Sequence, residues 1–137
     1  MTAQPNQATA EVLEAAAALV AAFGRHDVAA YFGAFTPEAT FTFYTAPAPL
    51  RSRADYEALW ATWEREDGFQ VLSCESSDPF VQVVGGSGDV GIFTHRVSTV
   101  VRTSAGTETL LERETIVFAK GSDGRWLAVH EHLSPQG

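Results

Sequence analysis

The second half of the chain consists of long runs of strand-forming residues separated by short glycine-rich turns, and this pattern constrains the fold most strongly. The run from Val90 to Thr103 is rich in β-branched residues and lies between turn sequences at residues 85–88 and 104–106. Similar runs predict three more strands, at residues 69–84 with an internal bulge, 109–119 and 126–133. Strands of ten or more residues in one sheet twist strongly, so we expect a sheet that curls.

The first half of the chain predicts three helices and one short strand. Thr9, Asp27 and Ser52 can each cap a helix, because their side-chain oxygens can accept free backbone N–H groups. The predicted helices are residues 10–23, 28–35 and 52–67, and residues 40–44 alternate as a strand does. Helices followed by long strands predict an α+β fold, in which a curved antiparallel or mixed sheet wraps around three helices and encloses a cone-shaped apolar cavity. We expect residues 1–8 to form a flexible tail and residues 9–135 a single domain.

Composition and charge narrow the classes of function. The 137 residues, of which 45% are hydrophobic and 19% charged, suit one globular domain. The net charge of −8 argues against nucleic acid or an anionic membrane as a partner, because the chain has no Lys/Arg run. Cys74 is the one cysteine, which excludes an internal disulfide. The apolar stretch at residues 15–23 is too short to span a membrane and follows no basic leader, so we expect a cytoplasmic protein.

Four segments carry a resemblance to a known family. They are the turn at residues 25–27, the segments 35–41 and 53–63, and above all the ending at residues 123–135, DGRWLAVHEHLSP. On these segments the chain resembles the nuclear transport factor 2-like superfamily, and within it the SnoaL-like and ketosteroid-isomerase-like branch. The ending is also similar to the association domain of calcium/calmodulin-dependent kinase II. The resemblance implies the cone-shaped fold, which serves isomerases, cyclases, dehydratases and non-catalytic dimerisation modules alike.

Two positions depart from the relatives that this resemblance suggests. Ketosteroid isomerases carry their general base, an aspartate, on the first strand, and the matching residues 42–44 contain no carboxylate. The kinase association domain has a ligand-binding arginine where this chain has Leu133. Tyr44 is the polar group left near the first position. It either donates a hydrogen bond inside the cavity, or it covers the cavity mouth or packs under the loop of Pro47 and Pro49.

Three histidines are candidates for acid/base chemistry, because imidazole titrates near neutral pH. His130 and His132 share one face of the last strand, and alternation leaves open whether that face or the face of Glu131 lines the cavity, since a bulge would reverse it. We interpret His130 first as a hydrogen-bonding core residue, and His132 as the leading candidate base. His95 lies on the more apolar face of its strand, either as a core residue or as a catalytic one. An H-x-H metal site is not expected, because no carboxylate follows at a suitable spacing.

The strand at residues 109–119 carries charge on both faces, so a buried charge there needs a partner. Arg113 lies on one face, and Glu112 and Glu114 lie on the other. A cross-strand ion pair that stabilises the sheet is the simpler interpretation. The sharper hypothesis is a pair of Glu114 with a histidine, in which the carboxylate orients the imidazole for proton transfer.

These patterns and the resemblance together lead to one functional hypothesis and one alternative. The hypothesis is a cofactor-independent acid/base enzyme, a cyclase, isomerase or dehydratase of secondary metabolism, that acts on a small hydrophobic carbonyl compound. The alternative is a non-catalytic small-molecule-binding or dimerisation module of the same fold. No metal or cofactor is expected, since the chain has no phosphate-binding loop and no G-x-S-x-G motif. The last strand is apolar on both faces, which predicts a homodimer. The candidate catalytic residues are His132, Glu114 and His95, and the candidate substrate-binding residues are Tyr44, Tyr56, Trp60, Arg113 and His130.

Overall fold

The helices and strands follow one another in the order that the sequence predicts. The structure is a computed structural model and describes residues 5–136. Its elements are α1 (Pro5–Gly24), α2 (Val28–Gly33), β1 (Phe35–Phe43), α3 (Arg53–Asp67), β2 (Gln70–Val84), β3 (Val90–Thr103), β4 (Gly106–Lys120) and β5 (Trp126–Pro135). The strands form one sheet in the order β1-β5-β4-β3-β2, in which β1 is parallel to β5 and the other neighbours are antiparallel. The predicted α+β fold with a curved, open, mixed sheet is confirmed.

Local capping explains where two helices begin and end. The Asp27 side chain accepts a hydrogen bond from the backbone N–H of Ala30 at 3.2 Å, which caps α2. The Ser52 hydroxyl accepts from the backbone N–H of Asp55 at 3.1 Å, which caps α3. Gly68 ends α3 at a positive φ of 61°, a conformation that glycine adopts without steric cost. These caps are the ones that the sequence predicts.

The first helix begins earlier than predicted. α1 starts at Pro5, whereas the sequence-based interpretation placed its start near Ala10 and residues 5–8 in a flexible tail. Proline suits the first turn of a helix, because its φ is fixed near the helical value and its missing N–H would have no partner there. The extra turn also buries Ala8 in the core. Residues 1–4 of the predicted tail lie outside the described residues.

The apolar stretch of α1 is therefore longer than the sequence-based interpretation allowed. The 18 residues Gln7–Gly24 are long and apolar enough to span a membrane by length and composition. In the structure, α1 packs against β2 and β3, and Val12, Ala16 and Leu19 are buried. Gly91 of β3 makes this approach possible, because a Cβ at that position would lie 2.6 Å from Cγ2 of Val12.

Two strand predictions are confirmed and one is corrected. β3 has the predicted bounds, Val90–Thr103, and β2 is one strand whose register shifts between Ser77 and Phe80, as expected for a bulge. β1 begins at Phe35 rather than at Thr40. α2 ends earlier than predicted, and the residues around the following proline favour the extended conformation, so β1 starts directly after the helix.

A bulge in β5 decides which residues of the last strand face the helices. Val117 of β4 pairs with His130 and Phe118 pairs with Ala128, so Val129 is an extra residue on β5. Even-numbered positions face the interior before this bulge, as buried Ala128 does, and odd-numbered positions face it afterwards. The alternation that the sequence suggests is therefore broken in the middle of the strand.

Aromatic rings fill most of the space between the helices and the concave face of the sheet. The central ones are Tyr31, Phe35, Phe41, Tyr56 and Trp60. The ring centroids of Phe41 and Tyr56 lie 4.6 Å apart, and those of Tyr31 and Phe35 lie 5.3 Å apart, both edge to face. Each such pair contributes about 0.5–1.5 kcal/mol beyond the burial of its area. These contacts fix α2 and α3 on the sheet and leave a cavity beside them.

Candidate active site

The cavity opens between the concave face of the sheet and the three helices, and its volume is about 230 Å³. Its walls are mainly apolar and aromatic. Tyr56 and Trp60 of α3 line it, as the sequence predicts, together with Phe23, Trp63 and Phe69. A space of this size and character suits a small hydrophobic ligand.

Three glutamates from neighbouring strands line the cavity. Glu112 and Glu114 are alternate residues of β4, and Glu131 of β5 follows the bulge and faces the same way. Asp67 is the fourth acidic group in the wall, and the lining side chains within the described residues include no Lys, Arg or His. The apolar cavity therefore carries acidic groups along one side.

His95 and Glu114 form a buried pair. His95 is 4% exposed, its Nε2 lies 2.7 Å from Glu114 Oε1, and its Nδ1 lies 2.6 Å from the hydroxyl oxygen of Ser76. Burial lowers the pKa of His95 to about 4, so the imidazole is neutral at neutral pH. A neutral imidazole donates from one nitrogen only. We therefore assign the proton to Nε2, which donates to the Glu114 carboxylate, while Nδ1 accepts from Ser76.

Glu131 continues this hydrogen-bonded chain. The Tyr31 hydroxyl donates to Glu131 Oε1 at 3.2 Å and lies 2.9 Å from the Tyr56 hydroxyl, which donates to it. Burial, followed by the nearby Glu114 carboxylate, raises the pKa of Glu131 well above its usual value. Burial also raises the pKa of Glu114. Of the two carboxyl groups, Glu131 therefore holds its proton more strongly than Glu114.

A third carboxylate contact lies beside this chain. The Tyr44 hydroxyl donates to Glu112 Oε2 at 2.6 Å, although the Tyr44 side chain is 46% exposed. Burial raises the pKa of Glu112 by more than the hydrogen bond from Tyr44 lowers it, so this pKa lies above its usual value. Tyr44 thus reaches from the protein surface to a cavity carboxylate, although Tyr44 itself is not among the residues that line the cavity.

The structure brings together four of the residues that the sequence singles out. Glu114, Tyr56 and Trp60 line the cavity, and His95 lies directly behind Glu114. The predicted pairing of Glu114 with a histidine is present.

Three other predicted residues lie on the opposite, outer face of the sheet. His132 is exposed and pairs with Thr115, away from the cavity, because the bulge in β5 turns it outward. His130 is half-buried and its Nδ1 lies 2.9 Å from the hydroxyl oxygen of Thr40, a hydrogen bond between neighbouring strands. Arg113 is exposed on the same outer face. None of the three is among the residues that line the cavity.

Sequence reasoning missed Glu131, Tyr31 and Ser76 as members of the site. Alternation alone leaves open whether Glu131 faces the cavity, and the bulge in β5 decides that it does. Tyr31 lies on the short helix α2, and no sequence motif around it indicates a functional role. Ser76 belongs to the irregular part of β2, where register is not predictable from the sequence.

The described part of the chain offers little to a metal or to thiol chemistry. Within residues 5–136, no group of three His, Cys, Asp or Glu side chains is arranged to hold a metal ion. Burial raises the pKa of Cys74 to about 12, so this thiol stays protonated at neutral pH. The chemistry open to the cavity is proton transfer between carboxyl, imidazole and phenol groups.

Solved structures of bacterial proteins share this fold. A ketosteroid isomerase-like protein from Erwinia carotovora atroseptica is 18% identical to this chain. The match covers 96% of this chain and 98% of that protein, and its TM-score is 0.77. A candidate dehydratase of the NTF2-like family from Streptomyces avermitilis is 20% identical, covers 98% and 99%, and has a TM-score of 0.73. A protein from Catenulispora acidiphila, in complex with S-DNPA, is 16% identical, covers 90% of both chains, and has a TM-score of 0.71. At these identities the likeness concerns the fold alone.

Sequence comparison identifies the family. No curated protein matches the chain significantly. The model of the SnoaL-like domain matches residues 12–136, which is nearly all of the described chain. The chain therefore belongs to the SnoaL-like domain family, within the NTF2-like superfamily.

Proposed function

We propose that this protein is a cofactor-independent acid/base enzyme of the isomerase, cyclase or dehydratase type that acts on a small, hydrophobic carbonyl compound. One observation carries the proposal. Glu114 and Glu131 are buried carboxyl groups from neighbouring strands in the wall of an apolar cavity, and the His95 imidazole donates a hydrogen bond to Glu114. Two carboxyl groups whose environments separate their pKa values can act as base and acid at one pH.

Glu114 is the base in this proposal. Its carboxylate lines the cavity and accepts a hydrogen bond from His95, whose own side chain is fully buried behind it. Burial raises the pKa of Glu114, which makes the carboxylate a stronger base than one in water. Glu114 takes a proton from the carbon next to the substrate carbonyl. His95 is a positioning residue that fixes the carboxylate and stabilises its charge.

Glu131 is the acid. As the C–H bond breaks, its electron pair forms the C=C bond of an enol, the carbonyl π electrons move to the oxygen, and the Glu131 carboxylic acid gives its proton to that oxygen. Tyr31, hydrogen-bonded to Glu131 and supported by Tyr56, stabilises the carboxylate that results. Return of a proton to a different carbon gives an isomer. Where a hydroxyl lies on the next carbon, Glu114 gives its proton to that hydroxyl, which leaves as water, while the enol oxygen returns its proton to Glu131, and the product is an unsaturated carbonyl compound.

The comparisons support a substrate of this class. The Streptomyces avermitilis relative is a candidate dehydratase, and the Catenulispora acidiphila relative binds the small molecule S-DNPA. The cavity of this chain is of a size for such a ligand. The inference to this chain rests on the shared fold together with its own carboxyl pair.

Exchange of carbon-bound hydrogen tests the proposal without knowledge of the natural substrate. We would incubate the protein in D₂O with a panel of bicyclic ketones, 2-tetralone among them, and follow loss of the α-proton signals by NMR. The protein should accelerate exchange, and Glu114→Gln should reduce the acceleration by about 10²–10⁴-fold. Glu108→Gln, a change of an exposed glutamate on the same strand, is the matched control and should leave it unchanged. If the α-protons of all ketones in the panel exchange equally fast with and without the protein, the proposal that this protein is an enzyme is refuted.

One observation favours the alternative, a ligand-binding module without catalysis. The buried positions at the end of β1 are Phe41 and Phe43, and the one carboxylate of this strand, Glu38, is exposed, so the strand that carries the general base in ketosteroid isomerases brings no carboxylate to the cavity here. If the ketones bind in the cavity, as seen by tryptophan fluorescence, but their α-protons do not exchange faster, the module is the better description.

We also propose that the protein is a cytoplasmic homodimer that forms through the outer face of the sheet. Leu111 of β4 is 56% exposed on that face, and half-buried Val117 and its partner Ile92 lie on the same face six residues further along the strand. Covering this apolar area would stabilise a two-fold dimer.

A further inference from the structure

Glu112 is a buried carboxyl group of the cavity that the proposed proton transfers leave unused. The residue is 3% exposed and lines the cavity, and its Oε2 accepts a hydrogen bond from the Tyr44 hydroxyl at 2.6 Å. This hydrogen bond favours the ionised form of Glu112, and the oxygens of an ionised carboxylate only accept hydrogen bonds. Oε2 is therefore occupied from the protein surface, and Oε1 remains as a second acceptor.

The Oε1 atom of Glu112 is open to the cavity. Within residues 5–136, this oxygen has no hydrogen-bond partner. Among the side-chain nitrogens and oxygens of the buried and half-buried residues in this range, only Nε1 of Trp60 is both enclosed by protein atoms and without a partner. Oε1 of Glu112 thus keeps accessible surface, and because the side chain lines the cavity, we assign that surface to the cavity wall. A ligand that donates to this oxygen satisfies an acceptor that is otherwise cut off from most of the solvent.

Register places three cavity carboxyl groups at successive levels along the sheet. Glu131 pairs with Ile116 of β4, and Glu114 and Glu112 precede Ile116 by two and four residues on the same face. Two residues of a strand span about 7 Å, so Glu114 lies in the middle, one such step from each of the other two levels. The cavity continues on the Glu112 side, because Leu110 lines it and Ile116 does not. A ligand whose carbonyl group lies between Glu131 and Glu114 therefore extends toward Glu112.

The walls of the cavity determine which donor suits Glu112. They are mainly apolar, so a cationic ammonium group would lose its hydration without full compensation. A ligand carboxylate or phosphate would bring no donor and would be repelled by the cavity carboxyl groups. An uncharged hydroxyl group meets neither obstacle, and its hydrogen bond to a carboxylate is about twice as strong as one between neutral groups. The chemistry at this end of the cavity therefore favours a hydroxyl group.

We propose that Oε1 of Glu112 accepts a hydrogen bond from a hydroxyl group of the ligand, at the end remote from the reacting carbonyl, and that the cavity thereby selects hydroxy ketones. This inference rests on the proposed function, because it specifies the substrate class of the same cavity. Glu112 is then a specificity-determining residue, whereas Glu114 and Glu131 carry the proton transfers. The Tyr44 hydroxyl holds the carboxylate so that Oε1 stays free for the ligand.

Two ketones of the same skeleton test the proposal: 6-hydroxy-2-tetralone and 6-methoxy-2-tetralone. Both carry an oxygen on a ring carbon remote from the ketone, and only the hydroxyl compound can donate a hydrogen bond. Titration followed by tryptophan fluorescence, to which Trp60 and Trp63 of the cavity wall contribute, measures both affinities. The natural protein should bind the hydroxyl compound about 10- to 100-fold more tightly, the range expected for a hydrogen bond to a charged group.

Substitution of Glu112 should remove this preference. Glu112→Leu eliminates both carboxylate oxygens and should make the two affinities equal. Glu112→Gln keeps the size of the side chain and a neutral acceptor oxygen, so the preference should fall to about 3- to 10-fold, as a hydrogen bond between uncharged groups gives. This second variant keeps the test decisive if Glu112→Leu does not fold. Glu108→Gln, at an exposed position of the same strand, is the matched control and should leave the ratio of affinities unchanged.

The inference is overturned if the natural protein binds the two ketones equally, if it binds neither, or if Glu112→Gln leaves the ratio of affinities at its natural value. Hydrogen exchange of the two ketones reports separately on the proposed function. Binding that depends on Glu112 without accelerated exchange would refute the enzyme and leave this inference intact. Accelerated exchange with equal affinities would refute this inference and leave the enzyme.

Discussion

His95 and Glu114 face each other across β3 and β4, and Nε2 of the imidazole lies 2.7 Å from Oε1 of the carboxylate. Because the residues are in direct register, the sheet itself sets this distance. The imidazole is neutral and fully buried, so it acts on the cavity only through the carboxylate that it holds.

Replacement of His95 should therefore change the titration of Glu114 as well as the rate. His95→Ala removes the donor that stabilises the Glu114 carboxylate, so the pKa of Glu114 rises further. We expect ketone hydrogen exchange to slow by about 10²-fold and its acid limb to move to higher pH. The pH–rate profile measures both. Arg96→Ala, the next residue on the opposite face, should leave the profile in place. If His132→Ala loses the exchange activity and His95→Ala keeps the natural rate, the base is His132 on the outer face of the sheet and the assignment of Glu114 is wrong.

Glu131→Gln should make the protein less sensitive to alkaline pH. The folded pKa of Glu131 is raised, so its proton stabilises the fold below the unfolded value near 4.5, and this contribution is lost as pH rises through the folded pKa. Glutamine needs no proton. As the pH rises from 5.5 to 8.5, the free energy of unfolding of the variant should increase relative to that of the natural protein. The increase should be about 1.4 kcal/mol for each pH unit that lies below the folded pKa of Glu131. Urea unfolding at both pH values measures the difference, and Glu38→Gln on the surface is the control. An equal difference at both pH values would contradict a protonated Glu131.

Gly91→Ala should destabilise the packing of α1 on the sheet. The added Cβ would lie 2.6 Å from Cγ2 of the fully buried Val12, so the helix must move. Overpacking of this kind costs about 1–3 kcal/mol, and thermal unfolding measures it. Gly33→Ala is the matched control, because nothing lies within 4 Å of its Cβ. It should be neutral or slightly stabilising. Equal melting temperatures for the two variants would contradict the close approach of helix and strand.

The predicted dimer is open to a direct measurement. Light scattering should give about twice the chain mass of 14.8 kDa at micromolar concentration. Leu111→Asp places a charge on the outer face of the sheet and should yield monomers that still bind 2-tetralone. Leu13→Asp, at an exposed position on α1, should remain dimeric. A natural protein that scatters as a monomer would remove the outer face as an interface.

The sequence was most informative where local chemistry decides the structure. Ser52 and Gly68 bound α3 because one caps it and the other adopts a positive φ. The β-branched run Val90–Thr103 forms a strand of the predicted length, since turns lie at both of its ends. Pairing of Glu114 with a histidine was also foreseeable, because a buried charge needs a partner.

What the sequence could not supply depends on the relation between distant segments. Tyr31 and Glu131 lie 100 positions apart, and their hydrogen bond joins α2 to β5. The prediction of His132 as the leading base rests on its position at the end of the last strand, and the bulge at Val129, which turns that side chain to the outer face, is not visible in the sequence. The free N–H of Trp60 is likewise a property of its neighbours, which no local pattern records.

The extra residue at Val129 also bears on how this strand can change in evolution and in the laboratory. Loss of one codon within a paired strand normally turns every later side chain to the other face. Here the lost residue can be the unpaired one, and the strand then becomes regular while Glu131 keeps its direction. A one-residue deletion at Val129 is therefore a length change that preserves the chemistry of the cavity.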